Sequence, residues 1–275
     1  MTQSNLERFK IYMDAEGLSE KTKRDYLGVV RIFLSELGDR EPNLDDVVRF
    51  LSKYKDSPIT QQTYAYALRH YFKCVGGIDP RKIPVGRKES PEVRALTEDD
   101  VKKIVETIDL LGFPPQRALK YKAMIALAYE LGLRIGELAK LKRRDLNVEK
   151  WECYVKREKG SVSGIVPITT DWVKDVVSLY LTRKPKEEEL LFPNEKGEVY
   201  SVPALSSRIR SIMKKAGYPL KPHILRHTRA TELLRRRVDF FTVSRILGHK
   251  NPIHTTTYLH LVVEDLRKML EETKK

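Results

Sequence analysis

Pro222-His223-Ile224-Leu225-Arg226-His227 opens a stretch that runs through Leu247-Gly248-His249 to Tyr258, and its reading decides the rest. Proline followed by a mixed apolar and basic run places a helix start near His223, so Arg226 lies one turn on and both side chains aim at one point. A helix start that carries His and Arg suits a phosphate, because unpaired N–H groups there add positive potential. Five of the six histidines fall between residues 223 and 260, which marks this part of the chain as a candidate reactive site.

His223 and His227 stand four apart on one helical face, the spacing of a zinc pair. Ile224 occupies the place where a zinc protease carries its glutamate, and no third ligand follows at a suitable offset, so a metal site is not indicated.

Charge supports an anionic partner. The chain of 275 residues carries a formal net charge of +14, and residues 91 to 275 hold most of it, since residues 1 to 90 balance 16 Lys/Arg against 13 Asp/Glu. Clustered cations gain free energy by releasing counterions condensed on nucleic acid, so the second part of the chain is expected to hold the stronger anion site. A Lys/Glu-rich solvated surface is the bland alternative. Cys74 and Cys153 lie far apart with no C-x-x-C spacing, which indicates neither a disulfide framework nor a zinc site. Met1-Thr2-Gln3-Ser4 begins no secretory leader, and no stretch approaches the ~20 apolar residues of a membrane span, so a cytoplasmic protein is expected.

Working toward the N-terminus, residues 1–78 read as a domain of four short amphipathic helices. Leu6, Phe9 and Met13 run to Gly17; Ser19 caps a helix carrying Tyr26, Val30, Phe33 and Leu37; Asn43 caps a third; Ser57-Pro58 opens a fourth that ends at Gly76-Gly77. Residues 79–95, rich in Pro, Gly and basic side chains, read as a linker. From 96 to 275 a second domain opens at Thr97-Glu98-Asp99-Asp100 and continues through an apolar helix that closes at Leu131-Gly132. Cys153 to Val155 and Ile165 to Ile168 flank a turn rich in Gly and Ser, a β-hairpin. Helices then resume, with Ser201 to Ala216 ending at Gly217. The fold class is mainly α with a small antiparallel β-sheet.

With 13 tyrosines and 52 Lys/Arg in the chain, a lone Tyr258 or Lys159 would mean little, but order and spacing carry information. His223-x-x-Arg226, then Leu247-Gly248-His249, then Tyr258 closely resembles the signature of the tyrosine recombinases. Upstream, Gly132-Leu133-Arg134-Ile135-Gly136-Glu137 looks like that family's first-arginine segment, and Lys159-Gly160 in the hairpin looks like its catalytic lysine. The four-helix first domain is similar to the family's core-binding domain in architecture alone.

The resemblance implies attack of the Tyr258 hydroxyl on a DNA phosphodiester, giving a 3′-phosphotyrosyl enzyme and a 5′-hydroxyl. Arg134 and Arg226 would grip the non-bridging oxygens in the forked geometry that lysine cannot copy. His223 is the candidate base for a phenol of pKa ~10, Lys159 the acid for the leaving oxygen, and His249 a donor to the phosphate; Glu137 would orient the arginine site from behind. No metal or other cofactor is implied. The partner would be a double-stranded recombination site, bound by a homo-oligomer that becomes a tetramer across two sites. The tail from Val262 to Lys275, with Val262, Leu266, Met269 and Leu270 on one face, would dock in cis or exchange between subunits. A compact chain of this kind is most similar to the Xer recombinases, possible archaeal members included, which resolve chromosome dimers. Rival readings are a phage-type integrase, a type IB topoisomerase, and a noncatalytic helix-turn-helix module over Asp239 to Leu259. Two departures stand out: Arg237 occupies a place where the family commonly has glycine, and Asn251-Pro252-Ile253-His254 is unusual before the tyrosine.

Overall fold

The computed structural model describes residues 2–86, 95–158, 161–184, 189–253, 255 and 256. Lys159, Tyr258 and the tail from Val262 lie outside the described residues. The chain divides into two compact units, Met1–Glu92 and Val93–Lys275.

Among the described residues four helices build the first unit: α1 (Thr2–Ala15), α2 (Glu20–Leu37), α3 (Leu44–Ser52) and α4 (Pro58–Val75). Their starts follow from capping chemistry. Ser19 accepts from the Thr22 N–H, Asn43 and Asp46 cap each other's backbone, and Pro58 sits in the first turn, where its missing N–H costs nothing. Phe9, Phe33, Phe50, Leu68 and Phe72 fill the interior, with Phe33 edge-on to Phe50 at 5.3 Å and to Phe72 at 6.1 Å.

The first residues of the segment expected as a linker, 79–95, pack against the four helices. Asp79 caps a short 3-10 turn, Ile83 is wholly buried in the four-helix core, and Arg69 donates to the Ile83 carbonyl through Nε at 3.0 Å. Proline and glycine mark a packed turn as readily as a tether; the buried isoleucine between them decides for the turn here.

The second unit contains α5 (Glu98–Thr107), α6 (Pro115–Glu130), α7 (Ile135–Ala139), α8 (Asp171–Arg183), α9 (Val202–Lys215), α10 (Ile224–Arg235) and α11 (Phe240–Leu247). Between the helix start at Thr97 and the apolar helix that closes at Leu131, a 3-10 turn at Ile108–Leu111, left-handed Gly112 and Pro114 separate α5 from α6. Residues Ala123 to Glu130 of α6 are all buried, as befits a helix packed by α5, α8 and α10 around its circumference. Three antiparallel strands, β1 (Leu146–Asn147), β2 (Glu152–Val155) and β3 (Gly164–Pro167), form a sheet in sequence order with Cys153 opposite Val166. The sequence anticipates β2 and β3; β1 is two residues long and too short to show an alternating pattern. Among the described residues no helix is long and apolar enough to cross a membrane.

Helix α10 ends in a turn where the Arg237 N–H donates to Leu234 O and the Val238 N–H to Leu233 O, each at 3.0 Å. Arg237 takes φ +62 to close it, a left-handed conformation in which glycine carries no steric penalty. Arg237→Gly is therefore expected to stabilise the fold by about 1 kcal/mol, less the extra chain entropy of glycine. Urea unfolding checks this, and an unchanged or lower midpoint would refute it.

Candidate active site

Four chain segments meet in the second unit. The first follows α6, whose C-terminal turn is closed by Gly132 at φ +57. A Cβ on Gly132 would stand 2.7 Å from Leu247 Cδ2, so a side chain here would have to displace the buried Leu247 as well as adopt a left-handed backbone. Arg134 then caps α7, and Glu137 reaches back to accept from the Arg134 N–H and from Arg134 Nη1, both at 2.9 Å. Ser161, beyond the hairpin turn, accepts from the same Nη1 at 3.0 Å.

The second segment is α10, which buries Arg226 to 1% exposure. Its guanidinium donates to Gly132 O at 2.7 Å, to Leu247 O at 2.8 Å and to His249 Nε2 at 2.8 Å. Because a guanidinium only donates, His249 accepts at Nε2 and its neutral ring carries the proton on Nδ1, which donates to Thr255 Oγ1 at 2.8 Å. In this state the ring accepts where donation to a phosphate was expected.

His249 closes the third segment. It follows Gly248 at φ +71, the left-handed cap of α11. The fourth segment is the far side of the hairpin, where Ser161 bridges to His249 and the Val162 N–H donates to Gly248 O at 3.0 Å.

His223 caps α10 without a side-chain cap bond, its ring edge-on to His227 at 4.7 Å between centroids. Burial, followed by the His227, Arg226 and Arg134 charges, pushes its pKa down to about 4, so the imidazole is neutral at pH 7 and able to take a proton. The sign of the linkage is set by an unfolded value near ~6.5. Stability is fully present above that value and is lost as pH falls toward about 4, since the unfolded chain binds the proton first. The His227 pKa is also lowered, by burial and then Arg226. Melting temperature should drop between pH 6.5 and 4, and His223→Gln should reduce that drop; an equal drop in both proteins would refute the assignment.

Burial alone would raise the Glu137 carboxyl, but the Arg157 charge and hydrogen bonds from Arg134 and Arg157 outweigh it and hold it below the ordinary carboxylate range. Arg157 is the residue sequence reasoning missed. Its side chain is 1% exposed and donates to Glu137 Oε2 at 2.7 Å. Thr255 and Ser161 were likewise not anticipated.

The expected anion site at the start of α10 works differently from the sequence argument. The Ile224 N–H donates to Lys221 O at 2.9 Å and the Leu225 N–H to Pro222 O at 3.1 Å, so a preceding turn occupies these amides. The cationic side chains that meet in this cup are Arg134 and Arg226, while Arg157 is paired with Glu137. Arg134, His223, Arg226, His249 and Glu137 are brought together; Lys159 and Tyr258 lie outside the described residues.

Residues 94–264 match the phage integrase family. The chain belongs to this family, the tyrosine recombinases, and is a site-specific DNA breaking and rejoining enzyme. Within the family it is of the Xer type. It is 32% identical to the tyrosine recombinase XerA of Thermococcus kodakarensis over 283 residues, covering 98% of this chain and 95% of that protein. XerA of Pyrococcus horikoshii is 31% identical, with 98% and 93% covered. A crystal structure of XerA recombinase covers 100% of this chain and 99% of its own, with 26% identity and a TM-score of 0.57. The fold is also that of XerH bound to a palindromic difH substrate, with TM-score 0.75 and 21% identity over 97% of this chain and 84% of that one.

Proposed function

We propose that this recombinase resolves chromosome dimers at a dif-like site, cleaving double-stranded DNA through a 3′-phosphotyrosyl bond to Tyr258. The observation that carries the chemistry is the convergence of Arg226 and His249 at 2.8 Å beside Arg134, three segments remote in sequence joined at one point. Attack of a phenol oxygen on phosphorus adds negative charge to the non-bridging oxygens. Arg226 forms the floor and Arg134, with a side chain 29% exposed, the wall that stabilises it. Neutral His223 takes the phenol proton, Lys159 gives one to the departing 5′-oxygen, and Glu137 holds Arg134 in place. His249 donates to the phosphate once its Nε2 is released from Arg226 or protonated. No cofactor is needed, because the phosphotyrosyl bond retains the energy of the diester for rejoining.

Residues 1–78 serve as the core-binding domain, with the turn to Ile83 packed on it, and 96–275 as the catalytic one, in the cytoplasm. Relatives of this fold supply the precedent for assembly: a lambda integrase has been seen as a dimer on a core site and as a tetramer on a Holliday junction. Here the assembly is a homo-oligomer, a tetramer across two sites, in which the tail from Val262 to Lys275 docks in cis or exchanges between subunits.

The test uses a nicked duplex bearing a candidate dif-like site, which lets the cleaved end diffuse away and traps the enzyme. A denaturation-resistant adduct is expected, mapped by proteolysis to the peptide that contains Tyr258, and a two-site plasmid should be resolved into separate circles. Absence of any adduct would overturn the chemistry; an adduct with plasmid relaxation and no exchange would overturn the recombinase role.

A further inference from the structure

Arg157 has no place in the reaction described so far, yet it touches three of the four segments that build the cup. Strand β2 ends at Val155, and the inward alternation of Cys153 and Val155 continues to Arg157, which is buried. Its Nη1 donates to Glu137 Oε2 at 2.7 Å, and its Nη2 donates to the Ile246 carbonyl on α11. Its backbone N–H donates to Ser163 Oγ at 2.9 Å, tying together the two roots of the hairpin turn. Gly248 makes room for it, since a Cβ there would stand 2.7 Å from Arg157 Nε. Lys159 follows two residues later, so no more than about 7 Å of chain separates the two α-carbons.

We propose that Arg157 is a positioning residue for protonation of the leaving group: it bolts the hairpin that bears Lys159 to Glu137 and α11, and so sets where the lysine can reach. The proposal rests on the reading of Lys159 as the acid. In that step the Tyr258 oxygen bonds to phosphorus, the bond from phosphorus to O5′ breaks, and O5′ takes a proton from Lys159 Nζ. If sulfur replaces the bridging 5′-oxygen, the bond from phosphorus to sulfur breaks instead and a thiolate leaves as a stable anion, so no proton is required.

The experiment compares single-turnover cleavage of matched oxygen and sulfur substrates by the full-length enzyme. Arg157→Met is expected to slow the oxygen substrate about 100-fold, the effect of misplacing a reacting group by an ångström, and to cleave the sulfur substrate at the wild-type rate. Lys159→Ala should show the same selective rescue, and Arg157→Lys a smaller defect of the same kind. A purely structural role would slow both substrates alike, and that result for Arg157→Met, with Lys159→Ala rescued, overturns the positioning role alone. Failure to rescue Lys159→Ala refutes the acid assignment, and the positioning role falls with it. Should Arg157→Met not fold, Ser163→Ala decides, because Ser163 is exposed and its loss removes only the partner of the Arg157 N–H. It should slow the oxygen substrate about fivefold, the worth of one hydrogen bond, and leave the sulfur substrate untouched; equal effects on the two, or none, overturn the proposal.

Discussion

Arg226→Lys is expected to lower the rate of DNA cleavage by about 100- to 1000-fold, the loss typical of removing one donor from an oxyanion site. The magnitude follows from how the guanidinium is held. Gly132 O and Leu247 O fix its plane from two directions, at 2.7 and 2.8 Å, and the same Nη2 reaches His249. A lysine ammonium is a compact point charge on a flexible stem and cannot satisfy two carbonyls while presenting a fork to a phosphate. DNA affinity should change little, because a chain of net charge +14 spreads its phosphate contacts widely and one buried cation adds little to counterion release. Single-turnover cleavage of a nicked substrate, with binding measured in parallel at fixed salt, separates the two effects. A cleavage rate within tenfold of wild type would remove Arg226 from the transition state.

Local chemistry explains what could be read in advance. Ser19, Asn43, Thr97 and Ser201 all cap helices as their residue types demand, because a side-chain oxygen beside an unpaired N–H is decided within one turn. Glu137 three residues after Arg134 was expected from the family resemblance, and the structure adds that its two oxygens serve two arginines. What stayed hidden depends on residues distant in sequence. Arg157 stands at an inward position of a strand pattern, but pattern alone does not distinguish a buried arginine with a carboxylate partner from the end of the strand. The occupied amides of Ile224 and Leu225 depend on the turn geometry at Lys221 and Pro222, which helical periodicity does not encode. The burial of Ile83 was not legible because glycine and proline composition describes a backbone's freedom and says nothing of what one apolar side chain among them can bury.

Glu130→Leu is expected to cost about 3–5 kcal/mol of stability, as breaking a buried ion pair does, and so to lower the melting temperature on the order of 10 °C. Glu130 is wholly buried at the last residue of α6. It pairs with Arg229 Nη2 at 2.9 Å and accepts from the Thr169 N–H and the Thr170 hydroxyl, each at 2.7 Å. Leucine would leave the Arg229 charge and these donors in a low-dielectric interior without the carboxylate, and that desolvation sets the size of the loss. The pair ties the end of α6 to α10 and to the residues after β3, the elements that carry Arg134, Arg226 and the hairpin. It holds the frame of the cup without touching the reacting atoms, so Glu130→Leu should retain most cleavage activity well below its melting temperature, the reverse of Arg226→Lys. The double variant Glu130→Leu/Arg229→Met should recover much of the lost stability, since apolar groups of similar volume often replace a buried pair at little cost. Calorimetry of the three proteins checks the cycle, and a Glu130→Leu variant that melts with wild type would show that the threonines and Arg229 hold this junction without the carboxylate.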